Sequence, residues 1–176
     1  MIRVWDPLVR TFHWMLALSF AVAWLSSERS GRLHELAGYA AGVLVLARVA
    51  WGYFGSGYAR FSQFVQPPAA VVTYLRSIAT GSERRFIGHN PAGGAMIIVL
   101  LATLMATALT GWMLTTDAFW GSLAAQRVHS ILAHGVLLLV LAHLGGVALA
   151  SMRHRENLVR AMVIGDKRAA APGDVS

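Results

Sequence analysis

RVHSILAHGVLLLVLAHLGGVALASM, residues 127–152, decides how this chain is read. After Arg127 no Asp, Glu, Lys or Arg occurs before Arg153. A helix crosses a bilayer with roughly 20 mostly apolar residues, so this run is long enough to span one. Within it stand three histidines, His129, His134 and His143. Ionisable side chains at membrane depth are costly, and where they occur they mark function by default.

Working outward, three further stretches have the same character, at about 11–27, 34–54 and 92–115. The whole chain has 176 residues, 56% of them hydrophobic and 13% charged, which is too apolar for an ordinary soluble domain. His13, Trp14 and Trp24 within the first stretch, and no Ala-x-Ala pattern after it, argue for a retained helix rather than a cleaved signal. The expectation is an all-α integral membrane four-helix bundle forming one domain over 1–176, with a polar tail, 166–176, expected to be disordered.

The net charge of +7 raises the question of nucleic acid. Arg3, Arg10, Arg48, Arg60, Arg76, Arg84, Arg85, Arg153, Arg155, Arg160, Lys167 and Arg168 lie in the N-terminal segment, the end of the second span, the 55–90 loop or the tail, and only Arg29, Arg32 and Arg127 lie opposite. That is a topology signal, not a nucleic-acid patch. The positive-inside rule makes the richer side cytoplasmic, giving N-in, C-in. In the long inner loop, Pro67-Pro68 opens a stretch, 69–79, with Val71, Val72, Leu75 and Ile78 on one side, which predicts an interfacial helix. Asn90-Pro91 supplies an N-cap and first-turn proline for the third span. The chain has no cysteine, so disulfides, iron–sulfur clusters and covalently attached haem are excluded.

With that orientation, depth can be read from position. His13 enters the first helix near the cytoplasmic side, and His143, late in the fourth, lies near that side too. His34 and His129 both begin helices at the external side. His129 and His143 are 14 residues apart, which returns nearly to the same helix face and separates them by roughly 21 Å. Two facing pairs result, His13 with His143 and His34 with His129, each a set of axial ligands for a planar tetrapyrrole. Two imidazoles fill both axial positions of an iron and suit it to one-electron transfer. For a single intramembrane histidine a hydrogen-bonded packing role would compete; the depth pairing and common stripe favour ligation. Gly38 and Gly42 follow His34 at helical spacing and give clearance for a flat macrocycle, or simply let helices approach. His134 lies about 140° and 180° from the two stripe histidines and is expected to be unligated, bonded to a helix neighbour. Arg48, inside the second span, is a candidate partner for haem propionates; the alternative is a topology charge. His89 is a candidate for proton transfer near a quinone, or for a loop-fixing hydrogen bond.

These residues resemble the bacterial cytochrome b561 family, related to the b-type cytochrome subunit of nickel–iron hydrogenases. The likeness rests on Val4-Trp5-Asp6-Pro7 with Arg10-x-Phe12-His13-Trp14, His34-Glu35-x-x-Gly38-Tyr39, Arg48-x-x-Trp51-Gly52-x-x-Gly55, Ala59-Arg60-Phe61, Gly88-His89-Asn90-Pro91-Ala92-Gly93, His129 with His143, and Glu156-Asn157-Leu158. The resemblance implies two haems b, ligands at the four histidines, a place in the bacterial inner membrane, and exchange with a ubiquinone or menaquinone pool. Ser130 stands where the family often has Glu. The reading is a dihaem cytochrome passing electrons between the quinone pool and a redox protein, either a soluble cytochrome or a dehydrogenase- or hydrogenase-type subunit. The sequence leaves open a homodimer and any quinone oxidoreductase activity. A standalone superoxide–quinone oxidoreductase is the rival within the class. It would need an electropositive outer funnel, whereas three outer basic residues face Glu28, Glu35 and Asp117. A haem-free scaffold or transport component is the rival outside it.

Overall fold

In a computed structural model the chain is described over residues 1–29, 31–55 and 57–175. Ser30, Ser56 and Ser176, which fall in the 27–33 connection, the 55–90 connection and the tail, lie outside the described residues. The described residues are almost entirely helical: α1 Pro7–Ser26, α2 Gly31–Phe54, α3 Phe61–Phe64, α4 Pro68–Thr80, α5 Pro91–Met113, α6 Leu123–Arg153 and α7 Leu158–Ile164. A two-residue antiparallel ribbon pairs β1, Ile2–Arg3, with β2, Asp166–Lys167. Helices α1, α2, α5 and α6 have 20, 24, 23 and 31 residues and are apolar enough to cross a membrane. At 1.5 Å per residue even the shortest reaches about 30 Å, the thickness of a bilayer's hydrocarbon core. Leu18, Leu46, Leu109 and Leu138, one on each of these helices, are all half or more exposed. In water such surfaces would aggregate; hydrocarbon is their natural solvent.

The helix starts follow from local chemistry. Asp6 caps α1 by accepting from Val9 N at 2.8 Å, with Pro7 in the first turn where its missing N–H is not needed. Asn90 caps α5 in the same way, accepting from Gly93 N at 2.7 Å ahead of Pro91, as its sequence predicts. Asn157 caps α7 through Arg160 N at 2.8 Å. Helix α4 ends on Gly81, whose φ of +69° is costly for residues with a Cβ.

The chain divides into two compact units. One, the central unit, comprises Thr11–Ala50 and Leu100–Val140. It packs four helical segments through small residues: a Cβ on Gly42 of α2 would stand 3.3 Å from that of Ala108 on α5. Tyr39 on α2 hydrogen-bonds Thr115 beyond the end of α5 at 3.2 Å, and Trp24 on α1 meets the edge of His134 on α6 at 5.2 Å. Val45 and Val136 are fully buried.

The other, the terminal unit, comprises Met1–Arg10, Trp51–Val99 and Leu141–Ser176. Val4, Trp5, Ile87 and Ala161 form its core. Trp5, which composition alone groups with an interfacial aromatic belt, is only 6% exposed. Val4 N and Trp5 N both donate to Gly165 O at 3.0 Å. Gly165 has φ +93°, and a Cβ there would stand 2.8 Å from Trp5 O, so glycine is required.

The tail corrects an expectation. Residues 166–175 are polar in composition but not without structure. β2 pairs with β1, Ile87 N donates to Val175 O, and Val175 N donates to Arg85 O, both at 2.9 Å. Side-chain charge holds the tail down. Arg85 binds Glu156 bidentately, at 2.8 and 3.2 Å, and also pairs with Asp174. Lys167 lies 3.6 Å from Glu156 and donates to Phe86 O and Ile87 O at 3.1 and 2.9 Å. The Arg85, Glu156 and Lys167 side chains are 5, 7 and 4% exposed. Burial pushes the Lys167 ammonium below the usual lysine range, with Glu156 acting in the opposite direction.

Candidate functional site

The central unit brings together one of the two histidine pairs. His34 begins its approach from the first turn of α2, and His129 from the second turn of α6. Their ring centres are 6.0 Å apart and their planes nearly perpendicular, at 87°. Each ring is held by a backbone carbonyl from another helix: His34 Nδ1 lies 2.8 Å from Ala23 O on α1, and His129 Nδ1 lies 3.1 Å from Thr107 O on α5. A carbonyl only accepts, so each Nδ1 carries the proton. Nε2 of both rings is then the nitrogen with a free lone pair, which is how ligating histidines are normally fixed. Thr110 Oγ1 lies 3.1 Å from the same Nδ1 of His129. Gly111 gives the His129 ring its room, since a Cβ there would stand 3.0 Å from Cε1.

Two side chains are too few for a bare metal ion, and among the described residues no three His, Cys, Asp or Glu converge as such a site would need. A haem supplies four equatorial nitrogens itself and asks the protein for axial ligands alone. Metal–imidazole bonds run about 2.0–2.1 Å with the ring centre about 1 Å behind the nitrogen, so rings sharing one metal have centres about 6 Å apart. The observed 6.0 Å spacing fits, and so do the proton positions.

The other predicted positions fall as follows. His13 sits half-buried in the second turn of α1, in the central unit, with Trp14 edge-on to it at 5.1 Å. His143 is half-buried on α6 within the terminal unit. Arg48 is 7% exposed inside α2, an expensive place for a guanidinium. A Cβ on Gly38 would meet nothing within 4 Å, whereas Gly42 abuts Ala108. His134 is exposed and bonds Ser130 O, four residues earlier on its own helix, at 2.8 Å. His89 lies between Trp5 and Phe64, with ring centres 4.5 and 4.6 Å away, beside a cavity of about 80 Å³ that Tyr58, Gln63 and Gln66 also line.

Sequence reasoning did not single out Thr107, Thr110, Ala23 or Gly111, which contact the rings of His34 and His129. Thr107 and Thr110 look like ordinary span residues, and two of the contacts are backbone carbonyls that any residue would supply. Comparison with curated proteins and with solved structures gives no match. A family model, prokaryotic cytochrome b561, matches residues 4–165, and by that match over nearly all its length the chain belongs to the prokaryotic cytochrome b561 family.

Proposed function

We propose that this chain is a dihaem b-type cytochrome that carries electrons across the bacterial inner membrane between the quinone pool and a redox partner protein. Family membership implies b-type haem and electron transfer in a membrane. The observation that carries the finer reading is the His34–His129 pair, with ring centres 6.0 Å apart and both Nδ1 atoms tied to carbonyls. When bound, haem supplies reversible one-electron iron chemistry. The residues that would hold it are His34 and His129, each through the Nε2 left free by its Nδ1 contact.

The second haem is assigned to His13 and His143 on the depth argument and the shared stripe with His129. Arg48 is proposed to offer its guanidinium to the carboxylates of a haem edge, and Gly38 to leave space for the macrocycle. Gly42 is assigned with it to the haem-binding face, where its glycine contour also permits the approach to Ala108. The N-in, C-in orientation is supported by charge: the terminal unit has eleven Lys and Arg against five Asp and Glu, the central unit four against three. Helix α4 is read as lying on the cytoplasmic leaflet. Its Tyr74 is buried against Phe86, while Val72 and Leu75 stay about half exposed for the membrane.

The test is haem quantitation on purified protein, then stopped-flow reduction by a short-chain quinol in proteoliposomes. Two bis-histidine haems per chain and quinol reduction are expected. Colourless protein would refute the haem reading, and a coloured protein inert to quinol would refute the quinone reading.

A further inference from the structure

The far end of α6 carries a feature that electron transfer does not use. The helix stops in a Schellman turn: Glu156 N donates to Ser151 O at 3.1 Å and Arg155 N to Met152 O at 3.3 Å. Arg155 therefore holds the left-handed position, φ +49°. Glycine or asparagine normally stands there, because a Cβ crowds the following carbonyl. Here an arginine accepts that strain, and strained residues recur at ligand clamps.

Past this turn the chain folds back into α7, and an open groove of about 520 Å³ lies between α7 and the last turns of α6. Its walls include Leu144, Val147, Ala148, Met152 and Val159. Leu144, Met152 and Val159 are each more than half exposed. The polar groups around them are already engaged: Ser151 Oγ accepts from Leu158 N, Asn157 Oδ1 from Arg160 N, and the Glu156 carboxylate from Arg85 and Arg168 N. Among the described residues lining the groove, the charge left over is Arg155.

We propose that this groove binds an anionic phospholipid, with acyl chain along the apolar wall of α6 and headgroup phosphate on Arg155. A slot that runs along a membrane-spanning helix and ends at a guanidinium matches both parts of such a molecule. The acyl chain stays in hydrocarbon either way, and a zwitterionic lipid carries a phosphate too, so selectivity comes from the net negative charge of a headgroup whose phosphate on Arg155 has no choline ammonium beside it. Exposed Arg76, Arg84, Arg160 and Arg168 in the same unit add long-range attraction to an anionic leaflet. A soluble acidic protein would use those charges but leave the apolar slot empty.

The experiment is native mass spectrometry of the full-length protein released from nanodiscs of mixed phosphatidylcholine and phosphatidylglycerol. The wild type and Arg155→Lys are expected to retain phosphatidylglycerol preferentially. Arg155→Gly and Arg155→Asn, both suited to the left-handed turn, are expected to lose that preference roughly fivefold, the worth of one basic residue facing anionic lipid. Arg160→Ala, outside the groove, keeps it. Arg155→Gly should also melt no lower than wild type, because it relieves the turn; a lower melting temperature would make Arg155 a structural residue and overturn the proposal. Unchanged lipid preference in both neutral variants would overturn it too. So would haem loss on replacing Arg155, which would give the groove to haem, or efficient cross-linking of Val159→Cys into dimers, which would give it to a second copy.

Discussion

Gly111→Ala should weaken one haem without weakening the fold. The added Cβ would stand 3.0 Å from Cε1 of His129 and 3.5 Å from its Nδ1. Carbon atoms settle at about 3.5–4.0 Å, so the ring must retreat by about 0.5 Å or more. It is tethered at Nδ1 by Thr107 O and Thr110 Oγ1, each at 3.1 Å, and such a retreat takes both contacts to the edge of hydrogen bonding. Losing the bond that orients a ligating histidine typically costs 10- to 100-fold in metal affinity, about 1.4–2.7 kcal/mol. The helix itself moves the other way, since alanine in a helix interior is favoured over glycine by about 0.8–1.0 kcal/mol. The two effects separate in experiment. Titration with a haem-scavenging protein should strip one haem from Gly111→Ala at 10- to 100-fold lower scavenger concentration, with melting of the haem-free protein unchanged or higher. Wild-type retention of both haems would refute the idea that His129 is a ligand held by these contacts.

Other outcomes follow from the same geometry. Gly38→Val places a side chain in space that is open around Gly38, and haem content should fall while the haem-free protein melts as before; Gly42→Val, which meets Ala108, should lower the melting temperature as well. Glu156→Gln leaves buried Arg85 and Lys167 without their shared carboxylate and should destabilise the terminal unit by about 3 kcal/mol, read by thermal unfolding in detergent. Burial alone would raise the Glu156 carboxyl, but Arg85, the Arg168 N–H and Lys167 outweigh it and hold it below the usual range. The folded state thus binds that proton less readily than the unfolded state. Its contribution is complete above the unfolded value near pH 4.3 and is lost as pH falls through the lower folded value. Unfolding midpoints measured down the acid range should fall less steeply in Glu156→Gln than in wild type.

The parts of this molecule that a sequence reveals are those with local or periodic causes. The spans were legible because 20 or more apolar residues have few alternatives to a membrane, and the caps at Asn90 and Pro91 because they act within one turn. That His129 and His143 share one helix, α6, was legible because the apolar run is unbroken between them. His134 was legible in the same way, and it bonds its own helix at Ser130. What stayed hidden depends on contacts distant in sequence. Arg85 meets Glu156 across 71 positions and Asp174 across 89, and nothing local in the sequence joins the three. Trp5 shows the same limit: a tryptophan near a span end reads as interfacial, and only the pairing of Val4 and Trp5 with Gly165 explains its burial. Asp6 caps α1, and Arg10 binds Val163 O at 2.8 Å across 153 positions, a contact equally invisible in the sequence.

The most direct test of the account is the haem-to-chain ratio in single alanine replacements of His13, His34, His129, His143 and His134. The account expects two haems in the wild type and in His134→Ala. It expects His34→Ala and His129→Ala each to lose one and the same haem, and His13→Ala and His143→Ala each to lose the other. A wild type without haem, or haem lost only when His134 is replaced, would contradict it.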